Sequence, residues 1–529
     1  MNQILTAVLI FISFLHAQRI SVIPEEIQME TTWYVSPTGS DESGDGSEGN
    51  PFGTIQHGID FSQSGDEVIV LPGTYFEGIN FYGKEITVGS LFHITGDTTY
   101  IQETIIDGNN ESCPVVFVNG ESRNSKLTGL TIQNGDGCTF GNGGGIYLED
   151  SSPTLDHLVI QENFGLTGGG VFVNVGGNPL LKNSVIRNNT CFSEGCGVAV
   201  YNAEIEIENC TVTSNMFTID YSLGGGVSFY NSEGSVINTV ITQNSAESGG
   251  GISCYNSNPT IEGTIISNNV AIYGGGINCR ENSSPALLNV SILENTATQG
   301  GGLRCRDNSN PAVQNSTILG NSAAQYGGGI YTNNADPNIN HSLIVQNSAG
   351  EGGGVYGRIN SDITLQNVTI SDNSATEGGG LYLRNNSSSL MEHSIFWNDT
   401  PQEIFLHPSE TANQITVSNS DVQGGEDGIV TNDNGTIYWY DGNIDSDPLF
   451  CDPENGDYTV AANSPCQLWD ANIGALGIGC DAVWSFTLDY LEIQDENNNE
   501  MWEPGETLTL SVTLCNVGTA DHFFYPGVV

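Results

Sequence analysis

The sequence predicts an all-β chain wound as a solenoid of short stacked coils. Three observations carry that prediction: glycine triplets at steps of 25 to 29 residues, an asparagine that keeps step with them, and apolar residues alternating with period two rather than 3.6. Triplets begin at Gly143, Gly168, Gly224, Gly249, Gly274, Gly300, Gly327, Gly352 and Gly378, and Gly195-Cys196-Gly197 fills the one gap. The asparagines are Asn163, Asn189, Asn215, Asn244, Asn269, Asn295, Asn321, Asn347, Asn373 and Asn398. Self-similarity of this kind means units that cannot bury an apolar face alone and must stack.

Each unit explains itself. In GGGINCRENSSPALLNVSILENTATQ the glycines are followed by a short alternating run, an Asn/Ser/Pro turn, then Ala-Leu-Leu and Val-Ser-Ile-Leu. That makes three strands of three to five residues per coil. Parallel strands about 4.8 Å apart place equivalent residues of successive coils above one another. A column of asparagines then becomes a ladder, each amide donating to one rung and accepting from the other, at a buried corner. The glycine column permits a positive φ and close backbone approach. Ten coils would extend roughly 45 Å.

Composition fits an exported protein. The 529 residues carry 62 acidic and 11 basic side chains, a formal charge of −51, yet 37% are apolar, enough for a large core. Such a charge argues against nucleic acid and anionic membranes, both of which need Lys and Arg. Ile4–Leu15 is too short to span a bilayer but suits a signal peptide ending at Ala17, and no later stretch is long enough to cross. Export across a membrane would permit disulfides among the twelve cysteines. Cys191 and Cys196 flank a loop and could bridge, and one bridge is expected among Cys451, Cys466 and Cys480. Cys254, Cys279 and Cys305 instead share one inward column, where in-register Cβ atoms lie too far apart to join, and read as buried thiols.

Repeats ending Asn-x-Ala before Gly-Gly-Gly-Ile/Val/Leu, as in Asn269–Ile277 and Asn321–Ile330, resemble right-handed parallel β-helix proteins of the pectate-lyase-like superfold. They are also similar to the repeat of bacterial polymorphic outer-membrane proteins, with Ile or Leu where that family has Phe. Trp33–Asn109 resembles the opening of secreted bacterial β-helix proteins and Asp447–Gly479 their closing cap. The resemblance implies a protein secreted or held at a bacterial cell surface (the outer membrane), and leaves function open, because this superfold hosts lyases, hydrolases and adhesins alike. The expected division is signal peptide 1–17, linker 18–32, N-terminal cap and first coils 33–110, helix repeats 111–420, last coils and C-terminal cap 421–483, and an incomplete β-sandwich module 484–529.

Counting from each triplet, offsets +3 and +5 should face the core and +4 and +6 the solvent. The +6 column reads Tyr201, Tyr230, Tyr255, Arg280, Arg306, Asn333, Arg358, Arg384, and +4 adds Arg304, Tyr331, Tyr356 and Tyr382. Five of the eleven basic residues thus fall on one stripe of an acidic protein. Neighbouring arginines about 5 Å apart repel by roughly 0.8 kcal/mol even in water. A polysaccharide or cell-surface glycan would account for them, with Tyr rings against sugar faces and Arg on hydroxyl or carboxylate groups. The plainer account is that aromatics suit strands and that Glu281 and Asp307 neutralise the arginines.

The expected function is therefore a non-catalytic, monomeric glycan-binding or adhesin-like module. The alternative is a lyase or glycoside hydrolase acting on an acidic polysaccharide with Ca²⁺. No paired-carboxylate signature of a polygalacturonase is present, and His57, His93, His157, His341, His393, His407 and His522 show no metal spacing. Calcium has one local motif: Asp495, Asn497, Asn499, Glu503 and Glu506 hold positions 1, 3, 5, 9 and 12 of a twelve-residue loop, with Glu500 where Gly is usual. A structural Ca²⁺ clip is expected there, and the acidic turn Asp41–Asp45 is a second place for one.

Overall fold

The computed structural model describes residues 31–111, 113–217, 223–409, 411–467, 472–482, 486–495 and 508–516, the last two segments by their backbone. Signal peptide 1–17 and linker residues 18–30 lie outside this set, as does the calcium loop apart from the backbone of Asp495.

The chain winds into a parallel β-helix. Each coil contributes one strand to each of three sheets, and all three sheets are parallel, with successive coils as neighbours. Among the described residues, sheet A, entered after each glycine triplet, has 13 strands, sheet B has 16 and sheet C has 14. The coil from Gly274 is representative, with strands Ile277–Arg280 in A, Ala286–Leu288 in B and Ser291–Leu293 in C. Register holds coil to coil: Ile277 and Cys279 pair with Leu303 and Cys305, and Ile292 with Ile318. One continuous core results, running from Val35 to Ile429. The +3 and +5 side chains point into it, as the alternation required. Cys254, Cys279 and Cys305 are buried there and unbridged.

The asparagine corner saturates its hydrogen bonding. Asn295 Oδ1 accepts from the backbone N and the Nδ2 of Asn269, at 3.0 Å each. Its own Nδ2 donates to Ile266 O at 2.9 Å and to Asn321 Oδ1 at 3.0 Å. Two lone pairs and two N–H groups are all that a primary amide possesses, so nothing on it is left unpaired. Beside it, a Cβ on Gly276 would stand 2.6 Å from Gly302 O, closer than real Cβ atoms come, and 3.1 Å from Asn295 Nδ2, a tight contact. Gly274, at φ 66°, turns the chain in the left-handed region.

The last rung differs from expectation. Asn373 donates from N and Nδ2 to Asp399 Oδ1, at 2.7 and 2.9 Å, so Asp399 rather than Asn398 ends the ladder. Asn398 sits one residue earlier, at φ 64°, in the left-handed corner that Asp372 occupies one coil below. Register is unbroken here, since Thr369 and Ser371 pair with Ile395 and Trp397, so the 26-residue step from Asn373 lands on Asp399. Asp399 N in turn donates to Glu403 Oε1 at 3.1 Å. Burial holds the carboxyls of Asp399 and Glu403 well above the ordinary carboxylate range; the charge of Asp399 raises Glu403 further, while the hydrogen bond from Glu403 holds Asp399 the lower of the two.

The ends are closed in different ways. A short helix, Ile55–Phe61, with Thr54 as its N-cap, covers the first coils. At the other end Phe450–Asp452, Asp457–Ala461 and Ile478–Cys480 form a small sheet joined by Cys451–Cys480. This cap folds back along the outer side of sheet C instead of plugging the open end. Tyr458 packs with Leu343 and Val345, and Gly474 N donates to His393 O at 2.7 Å. Cys191–Cys196 is bridged as expected, and Cys113–Cys138 adds a bridge that spacing did not suggest. Phe486–Asp495 and Leu508–Asn516 pair antiparallel.

Candidate functional site

The outer face of sheet A carries the Tyr/Arg columns, but the two columns are not equivalent. Tyr201, Tyr230, Tyr255, Arg280, Arg306, Arg358 and Arg384, at +6, are half-buried and reach the surface. Those at +4 do not: Tyr331, Tyr356 and Tyr382 are 2% exposed or less and Arg304 is 5% exposed. The expectation that both columns face solvent is corrected for these four residues. Period two gives direction but not cover, and here a segment lying between the asparagine and glycine corners shields the +4 side chains. Tyr326, in that segment, lies 5.0 Å from the Tyr356 ring.

Stacking organises the face. Tyr201, Tyr230 and Tyr255 are parallel plates with centroids 4.5 and 4.7 Å apart, tilted by 8° and 4°. Arg280 continues the pile, its guanidinium carbon 4.9 Å from the Tyr255 centroid. In-register strands impose this spacing, close to the contact distance of aromatic rings. A second pile, Tyr331–Tyr356–Tyr382–Phe405, has centroids 5.0 to 5.5 Å apart. Arg304 lies between Tyr273 at 4.7 Å and Tyr331 at 5.4 Å, and its Nη1 donates to Asn278 Oδ1 at 3.0 Å. Burial lowers Arg304 to about 10, so it stays charged at neutral pH and its charge is met by two ring faces. It is a structural cation rather than an exposed ligand contact.

Sequence reasoning missed the column immediately before each glycine triplet. Glu194, Glu351 and Glu377 stand there, and Tyr326, Glu351 and Glu377 are bridged on successive coils. With Gln325, Gly350 and Thr376 they line a concavity of about 410 Å³. Burial raises Glu194, which is hydrogen-bonded to the Tyr201 hydroxyl. Burial, and then Glu351, raise Tyr356, whose hydroxyl contacts Arg384. His407 is lowered by burial and by Arg384, so it is neutral at neutral pH. Reading offset −1 beside +4 and +6 would have exposed the acidic rim, since the register is the same. Arg306 is partly neutralised by Asp307, 2.5 Å from its Nε, as the plainer reading of the stripe anticipated.

Among the described residues no group of three or more His, Cys, Asp or Glu side chains could hold a metal ion. Asp41 in the N-terminal acidic turn is engaged by its own chain, accepting from Gly53 N, Thr54 N and Thr54 Oγ1. No helix among the described residues is long and apolar enough to cross a membrane.

Comparison with known proteins agrees with the architecture. A family model described as the right handed beta helix region matches residues 54–233, 216–352 and 324–444. No curated protein matches the sequence. Among solved structures, the complex of XylC with xylose is 10% identical, with 91% of this chain and 89% of that one covered and a TM-score of 0.31. The pectate lyase Pel9A is 14% identical over 86% and 98%, with a TM-score of 0.24. The PL6 family polysaccharide lyase Pedsa3628 from Pseudopedobacter saltans is 9% identical over 79% and 96%, with a TM-score of 0.28. Similarity at this level bears on neither substrate nor chemistry.

Proposed function

The chain belongs to the right-handed β-helix family, and from that premise we propose that it binds an acidic polysaccharide along the outer face of sheet A without cleaving it. In this reading it works outside the cell, secreted or at the bacterial surface, as a monomer. The observation that carries the reading is the +6 column: three stacked tyrosines and four arginines, half-exposed and in register along one sheet. Arg358 and Arg384, on adjacent coils, would meet carboxylates of the ligand, and the edges of Tyr201, Tyr230 and Tyr255 its sugar faces. Ligand carboxylates would offset the repulsion between neighbouring guanidiniums, so the attraction is local to this stripe and works against the overall charge of −51.

A glycan array with purified protein tests this. Arg358→Ala with Arg384→Ala should abolish retention of acidic glycans while leaving the fold intact, whereas equal binding by the double variant would reduce the column to surface decoration. The catalytic alternative has one observation in its favour, the carboxylates of Glu351 and Glu377 beside Arg384 and His407. Unsaturated or reducing-end products from polygalacturonate or alginate would favour it, and chelator would tell whether Ca²⁺ takes part. The same reading keeps a structural Ca²⁺ at Asp495, Asn497, Asn499, Glu503 and Glu506, to be checked by whether chelation lowers the unfolding temperature.

A further inference from the structure

Away from sheet A, the folded-back cap forms a half-open cleft of about 300 Å³ against the outer side of sheet C. Its walls come from two sources that the chain brings together late. Asp372, Trp397 and Asn398 belong to two successive coils, while Asp447 and Phe450 come from the segment leading into the cap. The aromatic walls are held in place. Phe450 meets Tyr458 edge-on with centroids 5.3 Å apart, and both Trp397 and Phe450 pack against Ile395, Cys466 and Ile473.

The polar wall is held as firmly. Gln346 Nε2 donates to Tyr458 Oη at 3.1 Å, the Tyr458 hydroxyl donates to Asp372 Oδ2 at 2.7 Å, and Asn398 Nδ2 donates to Asp372 Oδ1. Asp447 Oδ1 accepts from Leu449 N at 2.9 Å. Each carboxylate has therefore already committed an oxygen to a neighbour. No Lys, Arg or His lines the space, and two carboxylates do, which disfavours any anion. A compact cation would want both carboxylates uncommitted and converging. What remains on offer is a half-buried indole, a phenyl ring and carboxylate and amide acceptors at fixed positions. Hydroxyl groups can donate to such acceptors while an apolar ring face lies on the indole.

The geometry points to a binding site for a single neutral sugar ring, a pyranose unit or the neutral end of a glycan, between Trp397 and the cap. The site is independent of sheet A and takes an uncharged ligand, unlike the polyanion proposed there. Its size, about one small-molecule pocket at the lower limit of the usual range, fits one ring rather than a polymer.

The test is calorimetric titration of the full chain, with saturation-transfer NMR, using methyl glycosides of glucose, galactose, mannose and N-acetylglucosamine, beside glucuronate and tetramethylammonium. At least one neutral glycoside should bind saturably, glucuronate should bind at least tenfold more weakly, and Trp397→Ala should weaken the neutral sugar at least tenfold. Trp397→Phe, which keeps a ring, should retain part of the affinity, and Asn398→Ala, on an exposed turn, gives a second variant should Trp397→Ala fail to fold. Arg358→Ala with Arg384→Ala should leave this binding unchanged, which separates it from the sheet A reading. The proposal is overturned if no neutral glycoside binds, if tetramethylammonium binds more tightly than all of them, or if folded Trp397→Ala or Asn398→Ala binds as well as the native chain.

Discussion

The inner asparagine column and the outer Tyr/Arg column run along the same coils, yet one is uniform and the other drifts. From Asn163 to Asn373 each rung presents the same amide, whereas the +6 column passes from Tyr to Arg to Asn and back to Arg. The reason lies in what each side chain needs from its neighbour. A fully buried asparagine has two donors and two acceptors to satisfy, and the amides of the neighbouring rungs supply partners for them. A stacked ring accepts another ring or a guanidinium equally well, and its polar end reaches water. Uniformity therefore marks the ladder that holds the coils together, and variation marks the face free to take on a task.

The sharpest way to break that contrast is Asn295→Ala. It strips partners from Asn269 N, Asn269 Nδ2 and Ile266 O, and at 1 to 3 kcal/mol per orphaned buried group the loss should reach about 4 kcal/mol. Urea unfolding should show it, and a loss below about 1 kcal/mol would mean that water enters the corner.

The terminal rung gives the next effect, and its sign follows from protonation. Asp399 and Glu403 bind their protons more tightly folded than unfolded, so their contribution is complete below about pH 4, the unfolded carboxylate value. It falls as pH rises toward and past about 7, where folded Asp399 gives up its proton. Asp399→Asn continues the amide ladder and removes one of the two charges. Its unfolding temperature should exceed that of the native chain by more at pH 9 than at pH 5. An equal difference at both values would show that the pair does not titrate on unfolding.

The smallest effect belongs to the outer column. Tyr230→Ala opens the Tyr201–Tyr230–Tyr255 pile at its centre and should cost about 1 to 3 kcal/mol, from two ring contacts. If it destabilises as much as Asn295→Ala, the outer pile is as essential to stacking as the inner ladder, and the contrast fails.

Much of this was legible before any coordinates. The triplets gave the corner, the alternation gave direction, and the Cys254–Cys279–Cys305 column gave three unbridged buried thiols. The misreadings share a cause, which is that each depended on what lies across from a residue rather than along its strand. Asn398 continues the run of asparagines, but the 26-residue step from Asn373 lands on Asp399, and the bonds across the coils show that it is Asp399 that stands in the column. Tyr356 and Arg358 both point outward, and only the shielding segment that carries Tyr326 made one of them core. Cys113 and Cys138 are 25 residues apart where sheet A advances 31 residues from Val115 to Ile146, so they are not equivalent positions of successive coils and no repeat spacing pairs them.

By itself, then, the sequence determined the coil: its period, its corners, its inward residues and its in-register stacking, because each follows from a repeat that hydrogen-bonds to copies of itself. Tertiary structure alone decided which outward side chains meet water, and that the C-terminal segment doubles back over sheet C to shape a cleft. Those outcomes depend on contacts between segments that share no pattern, and a local pattern carries no information about them.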